Sequence, residues 1–197
     1  MAMHPQLVAF EEEVSHLTAP GQPFELNSVQ VDGIDYRNYA AMPVNMGQYF
    51  QLMRRHAGKE FAVYEGERLT YAQAWSQSAA LAAALLEDYR VMPGDRVAIL
   101  SRNNPEWMIT FIAVLSIGAV AVPMNAWWTT EELEYGLRDS GARLVVADRA
   151  RVERLMPLVR PLELQLIGID DCSGLDASST AFAEVIAAHA GAAMPDV

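Results

Sequence analysis

GDRVAILSRNNPEWMITFIAVLSIGAVAVPMNAWWTTEELEYGLRDSGARLVVAD, residues 94–148, is the stretch whose reading decides the fold. From Trp107 to Thr130 it carries no charged side chain. That length would serve a membrane-spanning helix, which needs about 20 mostly apolar residues. Two breakers lie inside the run. Gly118 weakens a helix, and Pro123 removes a backbone donor and clashes with the turn before it. Asn104-Pro105 is a helix start, with Asn as the cap and Pro at the first helical position, where its missing N–H costs nothing. Beyond Gly118, Ala119–Val122 suits a short buried strand. An almost wholly apolar helix followed by an apolar strand is what the middle of a parallel sheet buries. No cluster of Lys and Arg flanks the run to orient it in a bilayer. The expectation is a soluble core.

Working outward, strands and helices alternate. Arg96–Leu100 reads as a strand, Pro105–Ile117 as a helix and Ala119–Met124 as a strand. Thr129-x-x-Glu132 is a capping box that opens a helix stopping at Gly141. Arg143–Ala147 is a strand, and Asp148 caps a helix bearing Val152, Leu155, Met156 and Val159, ended by Pro161. Leu164–Ile169 is a further strand. After the turn-rich Asp170–Ser179, a last helix carries Phe182, Val185 and Ile186 on one face. Upstream, Thr70-x-x-Gln73 caps a helix with Trp75, Ala79, Ala82, Leu86 and Tyr89 on its buried stripe. Phe61–Tyr64 and Arg68–Tyr71 flank Glu65-Gly66 as a small hairpin. A helix after Asn45 carries Met46, Tyr49, Phe50 and Met53 and ends near Gly58.

Residues 1–45, punctuated by Pro5, Pro20, Gly21, Pro23 and Pro43, read as an N-terminal arm with little regular structure. The class expected is α/β, a mainly parallel sheet flanked by helices with an irregular arm and a small hairpin. The organisation expected is an arm over 1–45, an αβ subdomain over 46–190 and a linker over 191–197.

Composition narrows the function classes. With 52% hydrophobic and 20% charged residues the chain is globular, not disordered. A net charge of −11 argues against nucleic acid, whose phosphates need a basic surface. One cysteine, Cys172, forbids an internal disulfide and suits a reducing compartment. Glu11-Glu12-Glu13 stands where a signal peptide would place its apolar core, so a cytoplasmic location is expected.

Chemistry in a parallel sheet sits beyond the carboxyl ends of the strands. The loops there are Ser101–Asn104, Asn125–Trp128 and the turn at Asp148. Asn103 suits loop ordering more than ligand binding. Two adjacent large aromatics on one loop are hard to bury together, so Trp127 and Trp128 stand out as candidates for ligand or interface contact, against packing on a neighbouring domain. The usual constellations are missing: no glycine-rich phosphate loop, no nucleophile elbow at Ser101, and His4, His16, His56 and His189 lack metal-ligand spacing. Asp170-Asp171 and Glu131-Glu132 read as turn and helix-start charges. No catalytic and no metal-binding residue is assigned.

Phe61–Asp148 nevertheless resembles the N-terminal part of the AMP-binding, adenylate-forming acyl-CoA synthetases. LTYAQ at 69–73, GDRVAIL at 94–100, NPEW at 104–107, GAVAVPMN at 118–125 and EELEYGLRDSGARLVVAD at 131–148 carry the likeness in order and spacing. PFELNSVQVDGIDYRNYAAMP at 23–43 is similar to the arm of bacterial fatty-acid–CoA ligases. The resemblance implies a parent that joins a fatty acid to coenzyme A through an acyl-adenylate, with ATP, Mg²⁺ and coenzyme A as cofactors. It also implies that the phosphate loop and catalytic lysine lie beyond Val197, so that the fragment alone is inactive and binds none of them tightly. Several relatives place a basic residue, where it can approach coenzyme A, in the segment that Ala126 and Trp127 occupy here. The departure removes that charge contact and leaves Trp127 and Trp128 as candidates to stack near coenzyme A or to pack at a domain interface. The partners implied are the fatty acid and the rest of the chain, with exposed apolar surface favouring a homo-oligomer. A transmembrane span is not expected, and peripheral membrane contact stays open. Two alternatives stay open as well: a non-catalytic αβ interaction module and an unrelated Rossmann-like nucleotide binder.

Overall fold

The computed structural model describes residues 4–170 and 179–196. Cys172 and Asp171 lie outside the described residues. The chain forms two compact units, Met1–Asn45 and Met46–Val197.

The first unit corrects the expectation of an arm with little regular structure. It holds a helix, α1 (Pro5–Leu17), and an antiparallel hairpin of β1 (Leu26–Val31) and β2 (Ile34–Tyr39). The hairpin pairs Val31 with Ile34 and runs back to Leu26 opposite Tyr39. Its turn is Asp32-Gly33, both with positive φ (50° and 79°), which a two-residue hairpin turn requires and which Asp-Gly tolerates. Of the prolines in this unit, Pro5 stands at the helix start, Pro20 and Pro23 in turns and Pro43 beyond β2, where a missing N–H breaks no ladder.

The second unit opens with α2 (Met46–Gln51), which tightens into a 3₁₀ turn over Leu52–His56. A second hairpin follows, β3 (Glu60–Tyr64) and β4 (Glu67–Thr70). Then comes α3 (Tyr71–Glu87), opened by the expected capping box: the Gln73 N–H donates to Thr70 Oγ1 at 3.2 Å and the Thr70 N–H to Gln73 Oε1 at 2.8 Å. Nine residues of α3 are buried, six of them alanine. The small side chains let this helix lie close to its neighbours, and Ser78 Oγ donates to the Ile109 carbonyl across the contact at 3.3 Å.

The remaining elements are β5 (Arg96–Leu100), α4 (Pro105–Ser116), β6 (Val120–Pro123), α5 (Thr130–Ser140), β7 (Leu144–Ala147), α6 (Arg149–Val159), β8 (Gln165–Gly168), β9 (Ser179–Ala181) and α7 (Phe182–Ala188). All five strands run parallel in the order β6-β5-β7-β8-β9. The edge strand β9 was not expected. Three residues carry too little pattern, and pairing with β8 defines it.

Alternation along the strands splits the core into two layers. Val97, Leu144, Val146 and Ile167 face α3, α4 and α7. Ala98, Leu100, Val145, Ala147 and Leu166 face α5 and α6. The sheet is thus covered on both sides, which is why its strands read as continuous apolar runs.

The charge-free run divides as its breakers dictate. Asn104 caps α4, with the Trp107 N–H donating to Asn104 Oδ1 at 3.0 Å. Gly118 ends the helix at φ +72°, a conformation that side chains disfavour, and β6 follows. Ile109, Ile112, Ala113 and Val114 are buried in the core. No helix among the described residues is long and apolar enough to cross a membrane.

Candidate functional site at the strand ends

The strand order places a topological switch between β5 and β7. From β5 the chain crosses through α4 to β6 on one side, and from β7 it crosses through α6 to β8 on the other. Loops leaving adjacent strands in opposite directions open a crevice at their carboxyl ends, the usual ligand position of such sheets.

Asp148 and Arg151 occupy that crevice as a buried ion pair. They are only 7% and 2% exposed. Asp148 is the N-cap of α6, its Oδ1 accepting from the Arg151 N–H at 3.2 Å. Arg151 Nη1 donates to both carboxylate oxygens at 3.2 Å. Asp148 Oδ2 accepts from the Arg102 N–H at 3.1 Å, which ties in the turn after β5. Arg151 Nε donates to the Ala126 carbonyl at 2.9 Å. One turn on, Arg154 Nη1 donates to the carbonyls of Ala126 and Trp128, both at 3.1 Å. Thr130 Oγ1 in turn donates to the Arg154 carbonyl at 3.0 Å. Two arginines and one aspartate therefore join the turns after β5, β6 and β7.

The two tryptophans of the β6 loop have opposite environments. Trp127 is 74% exposed, and the Arg151 guanidinium carbon lies 5.6 Å from its ring centroid, within cation–π range. The Trp127 N–H donates to Asn125 Oδ1 at 2.9 Å. Trp128 is half-buried and packs on the core layer formed with α5 and α6. Its Cζ3 lies 2.9 Å from where a Cβ on Gly136 would stand, so only glycine at 136 leaves room for the ring. Asn103 is exposed beside an apolar groove of about 270 Å³ between β3 and α4.

A wider cleft of about 580 Å³ opens above the ends of β5, β7 and β8. Arg102 and Arg149 bring positive charge to it; Glu106, Glu153 and Asp170 bring negative charge, and the β3–β4 turn adds Glu65 and Glu67. Burial pushes the half-buried Glu106 carboxyl above its ordinary value of 4.5; its own backbone N–H opposes this, and Asp170 and Glu67 add to it. A raised carboxyl pKa means the folded chain holds the proton more tightly than the unfolded chain. The linked stability is full below the unfolded value and is lost as pH rises through the higher folded one. Glu106→Gln should therefore gain in melting temperature relative to the parent as pH rises above the ordinary carboxyl value of 4.5 toward neutrality. A difference unchanged across that interval in thermal melts would contradict the burial argument.

Sequence reasoning named the loops and the cap at Asp148 but missed Arg151, Arg154 and Glu106. A signal existed: Arg151 and Arg154 lie three and six residues past a helix cap, hence on one face of the first turns. Arginine is mostly a surface residue, so spacing alone does not distinguish a clamp from a solvated stripe.

Residues 50–192 match the family of AMP-binding enzymes, a span that includes both hairpin strands β3 and β4, the whole sheet and every strand-end turn described above. This chain belongs to that family. The relatives it matches include acid–CoA ligases and, in Bacillus subtilis, surfactin synthase subunits. It is 32% identical over 101 residues to the long-chain-fatty-acid–CoA ligase of Haemophilus influenzae, covering 51% of this chain and 18% of that protein. It is 30% identical over 139 residues to 4-hydroxybutyrate–CoA ligase 2 of Metallosphaera sedula, covering 68% of this chain and 25% of that protein. Among solved structures, the benzoate CoA ligase of Burkholderia xenovorans superposes with a TM-score of 0.68 at 27% identity, over 77% of this chain and 30% of the other. The chain thus spans about a fifth to a quarter of the length of these two curated relatives.

Proposed function

We propose that this chain is the first αβ portion of an ATP-dependent ligase that joins a fatty acid to coenzyme A. The observation that supports it is the family match over residues 50–192, together with relatives that are themselves CoA ligases. In the reaction implied, a carboxylate oxygen attacks the α-phosphorus of ATP, giving acyl-adenylate and pyrophosphate. The coenzyme A thiol then attacks the acyl carbon, and AMP leaves with the bonding pair. A fatty acid is the finer part of the proposal, favoured by the Haemophilus relative and the arm residues 23–43.

The residues present suit the nucleotide end of coenzyme A, which offers a purine ring and phosphates. Trp127, backed by Arg151, is an exposed aromatic face, and Arg102 and Arg149 are exposed cations on adjoining turns. Trp128 serves this contact from behind, by anchoring the loop on α5. Mg²⁺ prefers six oxygen ligands in octahedral array. Among the described residues no group of three or more Asp, Glu, His or Cys side chains is placed to hold a cation. A cytoplasmic setting accords with the single cysteine.

The test is an assay of the polypeptide that carries this chain with ATP, coenzyme A and a panel of fatty acids, 4-hydroxybutyrate and benzoate. AMP and pyrophosphate should form, with the highest kcat/KM on a fatty acid. Formation of neither product with any acid sinks the ligase proposal, and a preference for benzoate sinks its fatty-acid part. The 197-residue chain alone should give no acyl-adenylate.

A further inference from the structure

We infer that Arg154, together with Arg151, is a positioning residue: by gripping the carbonyls on either side of Trp127, it sets the orientation of that exposed ring and with it the affinity for the nucleotide end of coenzyme A. The inference rests on the reading of the Asn125–Trp128 loop as a coenzyme A contact.

The geometry is that of a bracket. The Ala126 and Trp128 carbonyls flank Trp127 in the chain, and both are held by Arg154 Nη1 at 3.1 Å. Arg151 adds a bond to Ala126 at 2.9 Å and places its guanidinium against the Trp127 ring. Hydrogen bonds from a charged donor are roughly twice as strong as neutral ones. The backbone of an otherwise solvent-facing loop is thereby held on both sides of its most exposed large residue. A tryptophan free in solution samples many orientations, and a ring fixed in advance loses less entropy when a ligand stacks on it. Trp128 supplies the third fixed point through its contact with Gly136. The two guanidinium groups differ in what they hold. Arg151 is committed to Asp148, so its loss disturbs the fold, whereas the Arg154 guanidinium holds the two loop carbonyls and no carboxylate among the described residues.

That difference makes Arg154 the residue to change. The chain is labelled with 5-fluorotryptophan, the four resonances are assigned by single Trp→Phe variants, and coenzyme A is titrated to millimolar concentration. Arg154→Met should broaden or shift the Trp127 resonance while leaving those of Trp75 and Trp107, and should weaken coenzyme A binding about tenfold, the scale expected when a preorganised contact is loosened. Arg154→Lys, which keeps a charged donor, should recover part of both. Thermal melts show whether the variants remain folded. In the ligase that carries the chain, Arg154→Met should raise KM for coenzyme A with kcat and KM for ATP little changed. An unaltered Trp127 resonance in folded Arg154→Met overturns the inference, as does unaltered coenzyme A affinity where Trp127→Ala weakens it. If Trp127→Ala leaves coenzyme A affinity unchanged, the contact reading fails and the affinity part of the inference falls with it; the fluorine signal then decides the positioning part by itself.

Discussion

Arg151→Met should destabilise the chain by about 3–5 kcal/mol, the usual cost of breaking a buried ion pair from one side. The reason is what remains behind. Asp148 is 7% exposed, and without the guanidinium its carboxylate keeps, among the described residues, two backbone N–H donors, from Arg151 and Arg102. The Ala126 carbonyl also loses its shorter bond, at 2.9 Å. Asp148→Asn with Arg151→Met removes the stranded charge while keeping a side-chain acceptor for the cap, since Asn caps helices about as well as Asp. The double variant should therefore lose clearly less than Arg151→Met alone. Urea unfolding at neutral pH reads both. A loss below about 1 kcal/mol for the single variant would mean that the pair is solvated like a surface bridge.

Val114→Asp should cost at least about 4 kcal/mol and leave the chain largely unfolded, because a carboxylate without a partner is driven into an apolar layer. Val114 is 0% exposed on α4, within the layer that α4 forms with α3 and the sheet. Met108→Asp, on the same helix at a position 39% exposed, should stay within about 1 kcal/mol of the parent. The contrast between two Asp substitutions in one charge-free run tests the placement of that run directly. Equal effects from the two, measured by circular dichroism and thermal melts, would contradict a helix with one face in the core.

The capping residues explain why so much of the architecture was legible. Thr70 with Gln73 and Thr129 with Glu132 form reciprocal bonds within four residues, so their signals need no tertiary partner. Asn104 and Asp148 cap α4 and α6 in the same local way. The first unit also carries a local signal, Asp32-Gly33, a dipeptide that favours a two-residue hairpin turn, while its prolines lie outside the two strands. The edge strand β9 had no comparable signal, being three residues long and defined by β8.

Sequence also singled out Trp127 and Trp128 as a pair without separating them. Their roles diverge because Gly136, eight residues beyond Trp128 and on another element, leaves a hollow for one ring, while Arg151 comes up beside the other.

In residues 94–148 the caps, breakers and apolar periods were enough to specify a strand, a helix and a parallel crossover, because each acts over a few residues of chain. Those same residues could not show that Asp148, Arg151 and Arg154 bind three turns into one site. The turns after β5 and β6 lie 46 and 25 residues from the groups that hold them, in the Arg102–Asp148 and Ala126–Arg151 bonds. Only the strand order, with β5 set between β6 and β7, brings them together.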